Sequence, residues 1–589
     1  MSQTELRRRE GQATTVSDEA IRALADVLRG RLVQPSDPDY DDVRAVWNGM
    51  VDRHPALIVQ CVGVADVITS VDFAKQHDLL VAVRGGGHNA AGNAVCDNGL
   101  VIDLSPMKGV RVDPLAQTVR AEGGVTIGDL DHESQVFGLA VPMGVVTETG
   151  IAGLTLAGGI GWLRRKYGLS CDSLMSADVV TANGELVTAS KGNNADLLWA
   201  LQGGGGNFGV VTSFEFRAYP IGRDVFFAFV IHPGTGSDAH AALQFYREWS
   251  QATSDEVSSF AILWHAPEIN EIPAAHHGAP IVVYLAMYAG DPKEGEAVLQ
   301  SLRDYGSPIA DLSEATPYLD VQRFFDADYP AHEMRYYWKS RYLNELSTEA
   351  IDSLIRLNEA SPSHHSTLDV WQLGGALSRV PPQNTAFGDR SAPYLIGIEA
   401  NWESPEDDAV CIEWGREVFR ALEPFSSNRE YFNFPGLYEE GDQSVRDTFG
   451  ANLGRLQSVK RKYDPDNLSD SITTFRQLPV PAEPSEFRGN RIINAEPSPL
   501  EQQISVSCPG IRPATLRQLR ATLMAPNCAK MKGCANGLHL SRPYRPSSFP
   551  TLSRHDELRA QNLRGRRTRH HGRRPRGGDQ LLRHRQPIR

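Results

Sequence analysis

The residues best suited to chemistry sit in the stretch Val81-Ala82-Val83-Arg84-Gly85-Gly86-Gly87-His88-Asn89. A short apolar run of β type enters three consecutive glycines, and a histidine stands at the exit. Lacking a Cβ, glycine lets a ligand approach the backbone and reaches positive φ. Successive backbone N–H groups in such a loop form a concavity for an anion. His88 could do chemistry there, or be a surface loop histidine bonded to its own backbone. A second glycine-rich region, TETGIAGLTLAGGIGWLRRKYGLSCDSL, begins at Thr147. The run Gly204-x-Gly206-x-x-Gly209 has the spacing of a dinucleotide fingerprint. The following VVTSFEFR alternates like a strand, whereas a Rossmann fingerprint must open a helix, so a Rossmann site is rejected. Seven cysteines (Cys61, Cys96, Cys171, Cys411, Cys508, Cys528 and Cys534) are sparse and lack metal-ligand spacing. Free thiols and no metal are expected.

The elements that must position these loops are legible from periodicity. Residues 17–30 read as a helix, with Ser17 and Asp18 able to cap it and Gly30 ending it. From Ala56 the pattern is strand ALIVQCV, helix VADVITSVDFAKQHD, then strand LLVAVR entering the glycine loop. ADVVTANGELVTAS is a hairpin turning at Asn183-Gly184. From Ile221 the texture changes to strands such as FFAFVIHP, PIVVYLAMYAG and YLIGIEANW, interspersed with helices such as AHAALQFYREWSQA. That rhythm predicts an antiparallel sheet covered by helices. Residues 405–423 and GANLGRLQSVKRKY read as two further helices.

A chain of 589 residues holds more than one domain. There is no uninterrupted apolar run long enough to span a membrane and no apolar core in the N-terminal stretch for a secretory signal, so a cytoplasmic location is expected. The formal net charge is −13, but it is unevenly spread. Residues 469–589 carry 22 Lys and Arg against 8 Asp and Glu, whereas residues 1–468 carry a net −27. Such acidity argues against nucleic-acid binding by the body of the chain.

Taken together, RGGGHN, GLTLAGGIGWLRRKYGLSCDSL, LLWALQGGGGNFGVVTSFEFR, EYFNF and RLQSVKRKYDPDNL resemble the berberine-bridge-enzyme-like branch of FAD-linked oxidases. The resemblance runs from about Trp47 to Leu468. It implies an α+β protein, a two-part PCMH-type FAD-binding domain with an inserted antiparallel-sheet substrate domain covered by helices. The expected divisions are an N-terminal helical segment (1–48), the FAD-binding domain (49–220), the substrate domain (221–425), a C-terminal return segment on the FAD domain (426–468) and a basic low-complexity tail (469–589).

The resemblance also implies roles for residues. Arg84, Gly85, Gly86, Gly87, His88 and Asn89 would hold FAD, together with Thr149, Gly150, Gly153, Leu154, Gly158, Gly159, Gly161, Gly209 and Val210. His88 occupies the position of the histidine that bonds to the flavin 8α carbon. Many members add a second link from a cysteine, but Val146 stands at that position here, so one covalent link is expected. Cys171, which lies in a different motif, reads as a small buried hydrophobe. Thr149 falls where the family controls oxygen access, and its size favours O2 as acceptor. Tyr431 and Asn433 match the Tyr-x-Asn segment beside the flavin. A tyrosine needs a depressed pKa to act as a base at neutral pH; the alternative role is packing or orienting the substrate. Gln372 aligns with an acid of sugar-oxidising relatives. Gln372 cannot take a proton; Asp369 and Glu399 are nearby strand acids that could substitute for it, with an ordinary surface charge the stronger reading of each, and Trp371 and Tyr394 read as pocket walls or core.

The expected function is hydride transfer from a small alcohol, sugar or secondary metabolite to covalently held FAD, with O2 giving H2O2. A dehydrogenase with another acceptor, or a defective flavoprotein, are the alternatives. No nucleic acid or membrane partner is expected. The last alternative arises after Leu468, where the family-type ending FGFNHNIPP can be encoded so that a reading one base later yields Ser469–Gln477. A missing base would make the basic tail out-of-frame translation; the alternative is a genuine basic tail that binds nucleic acid or an acidic surface.

Overall fold

The computed structural model describes residues 3–427, 429–434, 436 and 442–468. The tail expected over 469–589, and the frame slip inferred from it, lie outside the described residues.

The first sheet has four strands in the order Arg31–Val33, Leu57–Gln60, Leu100–Asp103 and Val81–Arg84. The last three run parallel, and Arg31–Val33 adds antiparallel at one edge. Leu57, Ile58 and Val59 are all fully buried, which is why this strand reads as a continuous apolar run. The helix Val64–His77 makes the crossover, burying Val67, Val71 and Ala74 at helical spacing, and stops at Asp78 in the left-handed region (φ 55°). The chain then re-enters the sheet at Val81. The three glycines consequently emerge from the carboxyl end of a parallel strand, where α/β sheets commonly bind ligands.

A second sheet of five antiparallel strands has the order Leu186–Ser190, Leu174–Val180, Val210–Arg217, Thr118–Glu122 and Val110–Asp113. The Asn183-Gly184 turn joins its first hairpin, with Gly184 at φ 77°. Val210–Arg217 is a strand and not a helix, so the fingerprint spacing before it opens no Rossmann unit.

The third sheet has eight strands, all paired antiparallel, with Thr367–Gln372 and Tyr394–Trp402 side by side near one end. Helices Gly236–Ala252, Pro292–Arg303, Thr348–Glu359 and Asp408–Ala421 pack on one face, against Leu368, Val370, Ile396 and Ile398. The opposite face carries Phe260, Trp371, Leu395 and Trp338, and it joins Trp162 and Tyr431 in another core. Strand alternation therefore decides which residues of each strand meet the helices and which meet the site.

At the C-terminal end, helix Leu453–Tyr463 packs Leu456, Val459 and Tyr463 onto the core of the five-stranded sheet. Tyr463 Oη donates to Asp196 Oδ1 at 3.0 Å. The N-terminal segment differs from expectation. A hairpin of Gln3–Arg7 with Ala13–Ser17 precedes the helix Asp18–Val27, which Ser17 caps as its sequence indicated. Each hairpin strand buries one side chain, Leu6 or Val16, so the alternation that marks a strand was carried by a single apolar residue.

Candidate active site

A cavity of about 250 Å³ lies between the glycine loops and the helix-free face of the eight-stranded sheet. Its walls include Gly85, Gly86, Gly87, His88, Asn89, Val146, Thr149, Gly150, Gly153, Leu154, Gly209 and Val210 on one side. Phe325, Tyr329, Trp338, Asp369, Trp371 and Glu399 come from the sheet domain, and Tyr431 and Asn433 from the segment after it.

The glycine side depends on missing Cβ atoms. Gly86 and Gly150 lie back to back: a Cβ on either would stand 2.4 Å from the backbone nitrogen of the other. Gly87, Gly205 and Gly209 adopt φ of 69°, 76° and 135°. His88 stacks on Trp47, ring centroids 4.1 Å apart, and Trp47 stacks in turn on Tyr336 at 3.8 Å. Burial holds the His88 imidazole neutral by lowering its pKa to about 3. Its Nε2 is buried without a hydrogen-bond partner among the described residues. A bare backbone cradle beside a neutral, unpartnered imidazole suits a flat cofactor with a phosphate tail, so the residues present fit FAD.

Four of the expected cofactor residues lie outside the cavity lining. Arg84 turns its guanidinium onto buried Asp103, through Nε to Oδ1 at 3.0 Å and Nη2 to Oδ2, and onto the Val43 carbonyl. It holds the strand from which the loop springs. Gly158, Gly159 and Gly161 form a turn behind the wall. A Cβ on Gly158 would meet the Phe387 ring at 2.6 Å, and one on Gly161 would meet the Met143 carbonyl at 1.6 Å. Cys171 is also fully buried outside the lining, and burial raises its thiol pKa well above the ordinary value.

That turn fixes Tyr431. The phenolic oxygen accepts from Gly159 N at 3.1 Å, Ile160 N at 3.0 Å and Asn433 Nδ2 at 2.9 Å. A neutral phenol has two lone pairs, so three donors favour the phenolate. Burial opposes them and prevails, raising the Tyr431 pKa to about 12. The depressed pKa that base catalysis by tyrosine demands is absent from the free pocket.

The acids of the strands overturn two expectations. Asp369 and Glu399 are not surface charges: both are buried and line the cavity. Burial raises Asp369 to about 7, against the lowering effect of the neighbouring Thr367 hydroxyl and with a smaller rise from the charge of Asp328. Glu399 is raised well above the carboxylate range by burial and by Asp369, against a hydrogen bond from Tyr329 Oη at 2.6 Å. Gln372 faces the other way, bonded to Ser259 Oγ at 2.7 Å, Thr253 Oγ1 at 2.7 Å and the Ser250 carbonyl. Tyr394 likewise points to the helix side, where its hydroxyl lies 3.0 Å from Ser250 Oγ. Trp371 does line the cavity. Along Thr367–Gln372, Asp369 and Trp371 face the site while Leu368, Val370 and Gln372 face the helices, so the alignment on Gln372 took a residue from the other face of the strand, three positions from the acid. The signal was present in sequence as the alternation of Leu368, Val370 and Gln372 with Asp369 and Trp371.

Comparison with known proteins agrees with this architecture. Residues 55–190 match the FAD binding domain family, and residues 430–468 match the berberine and berberine-like family. The FAD-linked oxidoreductase YgaK of Bacillus subtilis is 32% identical over 449 residues, 75% of this chain and 95% of the relative. The crystal structure of 6-hydroxy-D-nicotine oxidase from Arthrobacter nicotinovorans superposes with a TM-score of 0.68 at 28% identity, covering 75% of this chain and 96% of that one. Physcomitrella patens BBE-like 1 gives a TM-score of 0.68 at 23% identity, covering 76% and 97%. The chain belongs to the berberine-bridge-enzyme-like FAD-linked oxidoreductases, with the α+β, PCMH-type fold of that family. No helix among the described residues is long and apolar enough to cross a membrane.

Proposed function

We propose that this enzyme oxidises a small alcohol or amine at the cavity, with FAD bonded through His88 and O2 as the acceptor, giving H2O2. When bound, FAD supplies a two-electron acceptor for a substrate hydride. The glycine loops 85–87 and 149–153 hold it, and Val146, which lacks a thiol, leaves His88 as the single covalent anchor. Neutral His88, stacked on Trp47, is presented as a nucleophile without first losing a proton.

The residues of the sheet face handle the proton. Asp369 is the general base, because its pKa near 7 suits proton transfer at neutral pH. Glu399 keeps its proton and bonds Tyr329, which leaves Asp369 to ionise alone. Tyr431, bound by Asn433 and two backbone amides, orients substrate. The observation carrying this reading is the unpartnered carboxyl oxygen of Asp369, buried in the same cavity as the unpartnered His88 Nε2.

The test begins with the purified protein. Acid precipitation should leave flavin on the protein, and peptide mapping should find the adduct on His88. Turnover with air should release one H2O2 per substrate oxidised. Flavin lost on precipitation refutes the covalent link. Turnover with a dye acceptor under argon but none under air favours the dehydrogenase.

A further inference from the structure

We infer that the substrate is a cationic amine and that Asp369 selects it, with Glu399 beside it as a neutral neighbour. The inference rests on the oxidase reading above and narrows it to one substrate class. Strands Thr367–Gln372 and Tyr394–Trp402 pair so that Asp369 stands opposite Gly397, two residues before Glu399 on the same face. A Cβ on Gly397 would stand 3.4 Å from Asp369 Cβ, 3.2 Å from Glu399 Oε1 and 3.3 Å from Trp371 Nε1. Three polar side chains therefore converge over a glycine that leaves them room. Asp369 Oδ1 and Trp371 Nε1 are buried and have no hydrogen-bond partner among the described residues.

The counter-charge for this pair is missing from the wall. No lysine or arginine is among the described residues that line the cavity, and its one basic side chain, His88, is neutral. The Arg164 guanidinium lies 5.5 Å from the Trp371 ring, but it is held by the carbonyls of Gly161, Ser259 and Gln372 and does not line the cavity. A carboxylate formed in such a place is costly without a partner. A bound cation supplies that partner. The surrounding rings add cation–π attraction: Phe434 lies 5.1 Å from Trp338, 5.3 Å from Tyr431 and 6.2 Å from Trp371. An anionic substrate would meet like charge.

The chemistry balances. The ammonium form of a primary or secondary amine gives one N–H proton to the carboxylate. Its Cα–H then leaves as hydride, with both bonding electrons, to the flavin, while the nitrogen lone pair closes a C=N bond. Water hydrolyses the resulting iminium. Amine cation, water and O2 together give a carbonyl compound, the released ammonium ion and H2O2.

The test uses the purified holoenzyme and two probes of equal shape, phenyltrimethylammonium and tert-butylbenzene, titrated against the flavin absorbance spectrum. The cation should bind at least about tenfold tighter than its neutral isostere. Asp369→Asn should weaken the cation about tenfold and change the neutral probe less than about twofold, whereas Glu399→Gln, which exchanges one neutral side chain for another, should change either probe less than about threefold. Equal affinities of the wild type for the two probes would overturn the inference, even if both variants failed to fold. So would unchanged cation affinity in Asp369→Asn. Cation binding without oxidation of any alcohol or amine would instead sink the oxidase reading and leave the selectivity standing.

Discussion

Replacing Tyr431 by Phe removes one oxygen from a fully enclosed place and should be felt most by the backbone around it. The ring itself would stay, packed edge-on to Phe434 at 5.3 Å and near Phe387 at 6.5 Å. Three donors would lose their acceptor: Gly159 N, Ile160 N and Asn433 Nδ2. Each orphaned buried donor costs about 1–3 kcal/mol, offset partly because the tyrosine hydroxyl no longer has to leave water. Asn433 keeps a second acceptor, the Leu154 carbonyl at 3.2 Å, so the two backbone amides carry most of the loss. A net local cost of about 2–4 kcal/mol follows, or roughly 30- to 1,000-fold in an opening equilibrium. Because the chain has several cores, a global unfolding curve would blur this change. Amide hydrogen exchange read by mass spectrometry on a peptide covering Gly158–Leu163 isolates it. Exchange there should accelerate by that factor, while the strand Leu57–Gln60 stays protected. Unaltered exchange at Gly159 and Ile160 would refute the claim that Tyr431 holds this turn. The same variant also bears on catalysis. If Tyr431 only orients substrate, its loss should leave the pH profile in place, since a group near 12 does not titrate in the working range.

Other perturbations have equally definite outcomes. Gly86→Ala puts a methyl 2.4 Å from the Gly150 backbone, so the two loops must part and the flavin content of the purified protein should fall; overpacking should cost about 1–3 kcal/mol in a urea titration. Arg84→Met strands buried Asp103 and should destabilise by about 3–5 kcal/mol, with Arg84→Met/Asp103→Asn recovering part of the loss. Asp131 is buried, accepts from Gln322 Nε2 at 2.8 Å, and is raised to about 7 by that burial. Its folded pKa exceeds the unfolded value near 3.9, so the associated stability is present below about pH 4 and lost as pH rises through about 7; Asp131→Asn should flatten that slope by up to about 4 kcal/mol. Asp369→Asn should lower kcat by about 10²- to 10⁴-fold, and the wild-type kcat/KM should rise with pH through about 7 as the base ionises.

Much of the architecture was legible because one period dominated each stretch. The apolar runs Leu57–Gln60 and Leu100–Asp103 are buried on both faces, and the crossover helix between them shows its spacing plainly. The N-terminal hairpin was not legible, because one buried residue per strand leaves no alternation to count. For the cofactor side, glycines at Gly86, Gly87 and Gly150 announced themselves, since little else fits where a Cβ would strike backbone or φ is positive. The motif could not separate glycines that line a cavity from those, such as Gly158 and Gly161, that only let a turn pass behind it.

The acids of the sheet face show why local charge is a poor guide to place. Nothing in the residue types of Asp369 and Glu399 distinguishes a buried acid from an exposed one. What distinguishes them is parity. Leu368 and Val370 pack under the helices, so Asp369 and Trp371 must emerge on the other face, and Gly397 opposite leaves space for both. Once Ile396 and Ile398 are assigned to the helix side, Glu399 falls beside Asp369 without further assumption. The test of parity is Gln372→Ala against Asp369→Asn. The first removes an acceptor from Ser259 and donors to Ser250 and Thr253, and should lower stability by about 1–3 kcal/mol with KM unchanged. The second should spare stability at neutral pH and lose turnover. If Gln372→Ala instead abolished turnover while folding normally, the face assignment, and the proton chemistry built on it, would be wrong.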